Sequence, residues 1–453
     1  MKILVKNAKV VCSNKIIEKD IYIENESFCE NFLGEPDQVI DAKGYYMLPG
    51  AIDVHTHVEQ ESDVDKTCDD YFEGTRAAVS GGTTTVVMFA VQRKGQLPLD
   101  LIKERMASAK EKAVCDYSFH LQLTDINEET LSQIEEIVNM GISSVKIYMA
   151  GAGFTICNPN IIRLMELSKK LGFLIEIHAE SDELIDFYRK DLVEAGKTQM
   201  QYYAPSRPIV CETAALSLLD AYTKALGCKV YIVHLTSKEG LEICKRSEGR
   251  LIVETCPHYL TFTSEVYETV GPRAIQSPPV REAEDRDALW QGILNGDVKT
   301  VGSDHCPFYL EEKLLDDFSK VPLGTPGMET LLPVMYSEGA FKRHIPVTKI
   351  AKVLSENPAN IFHLENKGKI ENGYDADFVL YNPEEEYVMR DEFAITTAGY
   401  STFSGQKIHG KVVATYVRGK QVYAENGLKV EKGYGKFISR SPINTVVEGR
   451  EDI

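Results

Sequence analysis

Apolar positions fall into two regimes along the chain. Over the first 48 residues they form short alternating runs at 3–5, 9–12, 16–23 and 39–41, broken by turn residues and closing on Leu48-Pro49-Gly50. That is the pattern of short strands, and no helix-length period accompanies it. From Ala51 onward, short apolar runs alternate with stretches of helical period. Eight such runs occur, at 51–57, 83–90, 116–123, 143–149, 173–180, 229–235, 250–256 and 299–304, with helical stretches such as 99–113, 128–140, 161–171, 211–226 and 285–295 between them. Eight strand–helix units over roughly 250 residues or more predict an α/β fold, a (β/α)8 TIM-like barrel. After Gly368, strand-like runs return at 377–381, 411–418 and 421–423, with Gly and Asn at the breaks. The two β-rich ends are expected to pair. This gives a small β-sandwich domain from residues 1–50 and 368–437, a barrel over 51–367, and a C-terminal tail at 438–453. The chain beyond Tyr434 reads as an arm, either docked on a neighbour or frayed.

Composition narrows the partners. Against 50 basic residues stand 68 acidic ones, a formal charge of -18 that repels phosphate backbones, so neither nucleic acid nor an anionic membrane is an expected partner. Lysines interrupt the apolar residues near the N-terminus, and no apolar run approaches membrane-spanning length, so a cytoplasmic protein is expected. The ten cysteines form no C-x-x-C pair and suit reduced, buried thiols.

Candidate chemistry gathers at the ends of the predicted barrel strands. In Asp53-Val-His55-Thr-His57 the period-2 alternation puts both histidines on one face, where they could grip a divalent metal or simply be satisfied structural side chains. His178 closes the fifth run, His234 the sixth and Asp304 the eighth. Catalytic groups of such barrels come from the C-terminal ends of different strands, and four histidines and an aspartate arriving there together favour the metal reading. The fourth run places Lys146 at the same depth. A free ammonium coordinates nothing, so the spacing alone leaves Lys146 open between an ordinary ion pair and a modified ligand. His120 lies mid-strand as a barrel-interior residue, while His258 and His305 follow the seventh and eighth strands, where they could touch substrate or order Asp304. His344, His363 and His409 read as surface or packing residues, and Cys306 has no evident activating base.

Taken in order, Gly50-Ala-Ile-Asp-Val-His-Thr-His57, Gly74-Thr-Arg-Ala-Ala, Gly81-Gly-Thr-Thr-Thr, Ser144-Val-Lys-Ile-Tyr-Met, Glu254-Thr-Cys-Pro-His-Tyr-Leu, Ser277-Pro-Pro-Val-Arg, Ser303-Asp-His-Cys-Pro-Phe and Gly433-Tyr-Gly-Lys-Phe resemble the cyclic amidohydrolases of the dihydropyrimidinase and hydantoinase family. The resemblance implies that Lys146 is carbamylated by carbon dioxide and bridges two divalent ions, with zinc the first choice. It assigns His55, His57 and Asp304 to one ion and His178 and His234 to the other. Two such ions acidify a water held between them, and Asp304 is the catalytic residue that moves the proton. The implied reaction opens a cyclic amide or ureide ring to an N-carbamoyl amino acid, with Ser277 holding the ring through its backbone. Homo-oligomers, commonly tetramers, are implied as well.

Two departures bear on the substrate. The family usually has a tyrosine five residues after the lysine, and here that position is Gly151; Tyr148, within the strand, is read as core. Leu323 stands where an asparagine is common, which matters little if only its backbone meets substrate. The substrate-binding set is therefore Ser277, Gly151, Leu323 and His258, and the glycine-rich loop 151–153 is expected to leave a wide mouth. Allantoinase is the alternative activity, and a metal-free scaffold related to dihydropyrimidinases the alternative class. Dihydroorotase is set aside because Glu59 occupies the position of a typical arginine.

Overall fold

The structure is a computed structural model and describes residues 1–151 and 153–447; Ala152, within the glycine-rich loop 151–153, and 448–453, the end of the expected tail, lie outside the described residues. Eight parallel strands pair in chain order: Ala51–Thr56, Thr83–Val91, Asp116–Gln122, Ser144–Tyr148, Leu174–His178, Val230–Ile232, Leu251–Thr255 and Val298–Val301. Helices cover their outer face, so most strand positions are buried on both sides and read as unbroken apolar runs. Local chemistry starts and stops the helices. The Asp70 carboxylate accepts the Phe72 and Glu73 N–H groups to start Tyr71–Ser80, Asn127 caps Glu128–Asn139, and Gly172 and Gly227 end Asn158–Leu171 and Ile209–Leu226 in the left-handed conformation.

The barrel seam lies between its first and last strands. A bridge pairs Thr56 with His305, the His57 N–H donates to His305 O at 2.7 Å, and the Asp53 carboxylate accepts the Ser303 N–H at 3.0 Å. A Cβ on Gly302 would lie 2.7 Å from that of His55, so this seam requires glycine.

Both chain ends contribute to one nine-stranded mixed sheet, the sandwich domain. Phe378–Val388 runs antiparallel to Tyr46–Pro49, which in turn lies parallel to Lys2–Val11. The runs expected separately at 3–5 and 9–12 are one strand, bent by a register shift between Val5 and Ala8 where Asn7 has φ 59°. Val5, Ile21, Phe28, Phe378 and Tyr416 belong to the sandwich's own core.

The arm expected after Tyr434 runs beneath its own barrel instead, as far as residue 447. Ile438 N–H donates to Tyr117 O at 2.7 Å, Arg440 N–H to Gly141 O at 2.9 Å, and Ile443 N–H to Gly172 O at 2.7 Å, while Thr445 O accepts Lys229 N–H at 2.8 Å. The Arg440 guanidinium fills the barrel floor and donates to Ser118 Oγ at 3.0 Å and Ser144 Oγ at 2.8 Å. Backbone groups at the strand entrances need partners, and this segment supplies them. Among the described residues, no helix is long and apolar enough to cross a membrane.

Candidate active site

Five barrel strands deliver the six expected metal ligands to one point. His55 and Lys146 project from within their strands, His178 ends the fifth, and His57, His234 and Asp304 lie just beyond theirs. The sixth and eighth strands stop earlier than the runs 229–235 and 299–304 predict. At His234 and Asp304 the backbone adopts φ 40° and 50°, an uncommon conformation for residues other than glycine, found where the surrounding structure imposes it.

Asp304 Oδ1 lies 3.0 Å from His55 Nε2 and 3.4 Å from His57 Nε2, and His178 Nδ1 lies 3.0 Å from His234 Nε2. The other ring nitrogens of three of these histidines face acceptors. His55 Nδ1 is 2.6 Å from Glu254 Oε1, His57 Nδ1 is 2.7 Å from Gln60 Oε1, and His178 Nε2 is 2.9 Å from Glu180 Oε2. With a metal at the centre, each acceptor would hold the ring proton on its own side and leave the opposite nitrogen to the ion, as metal-ligating histidines require. These acceptors are themselves held: Glu254 accepts the Tyr231 hydroxyl at 2.9 Å and the His234 N–H at 3.1 Å, and Arg207 pairs with Glu180. Gln60→Ala is expected to fold normally and to weaken metal affinity about 10–100-fold, measured by competition with a chromophoric chelator.

The electrostatics ask for a cation. Burial works to keep His55 neutral, but the Glu254 and Asp304 carboxylates outweigh it and lift the imidazole to about 9. Burial depresses His57 and His178, and burial together with His178 holds His234 well below the usual range, so these three offer neutral lone pairs. Burial would raise Asp304, but His55 and His57 hold it well below the ordinary carboxylate range. Burial pulls Lys146 down to about 8 against the pull of Glu176, Asp304 and Glu254. Among the described residues its Nζ has no hydrogen-bond partner, and it lies 5.2 Å and 4.9 Å from the ring centroids of Phe89 and Tyr148. His55 Nε2 makes no hydrogen bond within the usual geometry among those residues either. Neutral imidazoles, a carboxylate and an orphaned buried amine make a donor set that fits divalent metal. The ligand atoms of His55, His57 and Asp304 all lie within 4.8 Å of one another. A second acidic group, Asp116, Asp375 and Asp377, has its centre filled by the Lys367 ammonium and needs no metal.

A cavity of about 770 Å³ opens over this centre, and Ser277, Gly151 and Leu323 all line it. Tyr148, expected in the core, also lines it, with its ring stacked 4.9 Å from that of His178. His258, expected to meet substrate, lies in the buried wall beside Cys256 and Asp304 rather than on the cavity surface. His305 pairs with Asp69 at 3.1 Å and accepts the Gly327 N–H at 3.1 Å, which ties it into the scaffold. His120 faces Val54 O and Ser144 Oγ inside the barrel, at 3.0 and 2.6 Å. His344 is exposed, His363 faces Ser441, and His409 pairs with Glu386. Burial raises the Cys306 thiol well above its usual range, which leaves it a poor nucleophile.

Sequence reasoning missed Gln60, Glu180 and Glu254 as partners of the ligands. Glu180 carried a signal, because it stands two residues after His178 on the same face of an extended chain. Glu254 and Gln60 meet their histidines only through the fold.

A parallel barrel with histidines, a lysine and an aspartate at its C-terminal mouth defines a metal-dependent hydrolase class, and the chain belongs to the amidohydrolase family, whose pattern matches residues 46–422. Within it, the chain is similar to a D-hydantoinase from Ralstonia pickettii, 33% identical over 97% of this chain and 99% of that one. It is also 32% identical to a D-phenylhydantoinase from Escherichia coli, over 98% of this chain and 99% of that one. Its structure is similar to the crystal structure of the dihydropyrimidinase from Brevibacillus agri, with a TM-score of 0.94 and 32% identity over 98% and 99% of the two chains.

Proposed function

We propose that this protein opens cyclic amides or ureides of the hydantoin or dihydropyrimidine type by hydrolysing a ring C–N bond, giving an N-carbamoyl amino acid. The observation that carries this reading is the orphaned amine of Lys146 amid four imidazoles and Asp304, at the base of an open cavity. As a neutral amine, Lys146 can add carbon dioxide with loss of a proton, and the carbamate so formed would join the histidines and Asp304 in holding the ions. His55, His57 and Asp304 would hold one zinc ion, and His178 and His234 the other. Bound there, the pair would acidify a water and polarise the ring carbonyl. Asp304 accepts the proton of the attacking water and returns it to the leaving ring nitrogen, as general base and then acid. The backbone at Ser277 and Leu323 holds the ring, and the absence of a side chain at Gly151 leaves room for a ring substituent. Hydantoinase and dihydropyrimidinase relatives weigh against allantoin as substrate. The full ligand set weighs against a metal-free scaffold. The family resemblance supports a homotetramer, and ten unpaired cysteines suit the cytoplasm.

Chelation is expected to abolish turnover, and divalent metal with bicarbonate to restore it. Because carbamylation consumes the neutral amine, the rate of restoration at a fixed concentration of dissolved carbon dioxide rises with pH and is half-maximal near 8, where Lys146 is half protonated. Equal restoration in carbon dioxide-free buffer would contradict the carbamate.

A further inference from the structure

The two backbone segments that carry Ser277 and Leu323 come from different connections, one after the seventh barrel strand and one after the eighth, and both line the cavity. Something must set the distance between them. Between them lies Lys313, the last residue of the one-turn helix Leu310–Lys313, with none of its surface exposed. Its Nζ is 2.7 Å from Ile275 O, 2.6 Å from Pro322 O and 2.8 Å from Gly324 O. An ammonium has three N–H donors and no acceptor, so these three carbonyls saturate it. Among the described residues no carboxylate pairs with it. Burial without a counter-ion pulls this amine down to about 7, and the three carbonyls aimed at it favour the charged form, since a neutral amine has only two N–H donors; an apolar side chain could fill the same space. What the ammonium adds is three short, directional, charge-assisted bonds joining two loops.

Other contacts point the same way. The Gly324 N–H donates to Ile275 O at 3.1 Å, which links the same two segments directly. The Tyr203 hydroxyl donates to Gln276 O at 2.7 Å and holds the first segment from outside. A Cβ on Gly324 would lie 2.4 Å from Cys306 O, so the second segment is pressed against the exit of the eighth strand. Leu323 is 41% exposed, and it is the backbone on either side of it that Lys313 grips.

We infer that Lys313 is a positioning residue that fixes the spacing of the two backbone segments between which the substrate ring binds. The inference rests on the proposed substrate contacts at Ser277 and Leu323. Lys313 touches neither the metal ligands nor the reacting atoms, so its loss acts on ring binding and leaves the metal centre intact.

Lys313→Met keeps the aliphatic stem and removes all three donors, and Tyr203→Phe removes one strap with little change in shape. Both are assayed as full-length, metal-loaded protein with hydantoin and dihydrouracil, well below their melting temperatures. Lys313→Met is expected to raise KM about tenfold or more, with kcat and metal content within about twofold of the parent. Tyr203→Phe is expected to raise KM several-fold in the same manner. An unchanged KM in Lys313→Met, or a loss confined to kcat with loss of metal, overturns the inference. If Lys313→Met does not fold, an unchanged KM in Tyr203→Phe overturns it. Failure of the parent protein to open any cyclic ureide despite bound metal would instead remove the substrate reading, and the two failures are told apart by that control.

Discussion

Replacing Lys146 by alanine is expected to lower turnover by about 10³-fold or more and to reduce bound metal from two ions per chain to one or none. The size follows from the Lewis acidity lost. A metal centre takes several kcal/mol off the barrier, and each ~1.4 kcal/mol is a factor of ten. Among the described residues the Lys146 amine has no hydrogen-bond partner, so its loss breaks no polar contact, while removal of the stem buried against Phe89 and Tyr148 leaves a cavity that costs about 2–5 kcal/mol. Loss of metal and activity in a protein that still folds is therefore the signature to look for. A short carboxylic acid supplied in solution should partly restore both, since it can occupy the space the carbamate would fill. Full activity in the alanine variant would remove the bridging role, and unfolding would show that the lysine serves the barrel instead.

The second large effect is on stability. Lys367→Met is expected to destabilise the protein by about 3–5 kcal/mol, the usual cost of removing one partner from a buried ionic group. The ammonium lies 2.6 Å from Asp116, 2.8 Å from Asp375 and 2.7 Å from Asp377. Asp116 begins the third barrel strand, whereas Asp375 and Asp377 lead into the sandwich strand Phe378–Val388, so the cluster joins the two domains. Burial opposes the charge on Lys367, but Asp377 and Asp375 outweigh it and raise the amine above its usual range. A raised lysine contributes its full stabilisation below its unfolded value of about 10.5 and loses it as pH climbs through the higher folded one, so the deficit of the variant is complete at neutral pH. Urea titration followed by fluorescence measures it, and a midpoint unchanged at pH 7 would show that Arg418, which also pairs with Asp116, carries the cluster alone.

The sequence carried the strand–helix alternation and, with it, the barrel, because a parallel strand buried on both faces leaves an apolar run that periodicity detects. It also carried the row of ligands, since each sits at or just after such a run. What it carried poorly was the detail that depends on departures from regular structure. The runs before His234 and Asp304 looked like longer strands because nothing local announces the positive φ that ends them. Tyr148 looked like core because strand alternation does not say how close the barrel mouth lies. The segment after Tyr434 looked like an arm because its grip on the barrel floor is mostly backbone hydrogen bonding, which leaves no hydrophobic pattern. Lys313 sits in a charged stretch with Glu311 and Glu312, yet it is wholly buried. In each case the decisive partner is distant in sequence.

The most direct test of the account is the mass of the product formed when metal-loaded protein is incubated with dihydrouracil, hydantoin and a 5-substituted hydantoin. At least one of them is expected to gain one water and give an N-carbamoyl amino acid, a conversion abolished by chelation. Turnover of none of the three by protein shown to hold two divalent ions, or undiminished turnover after their removal, would contradict it.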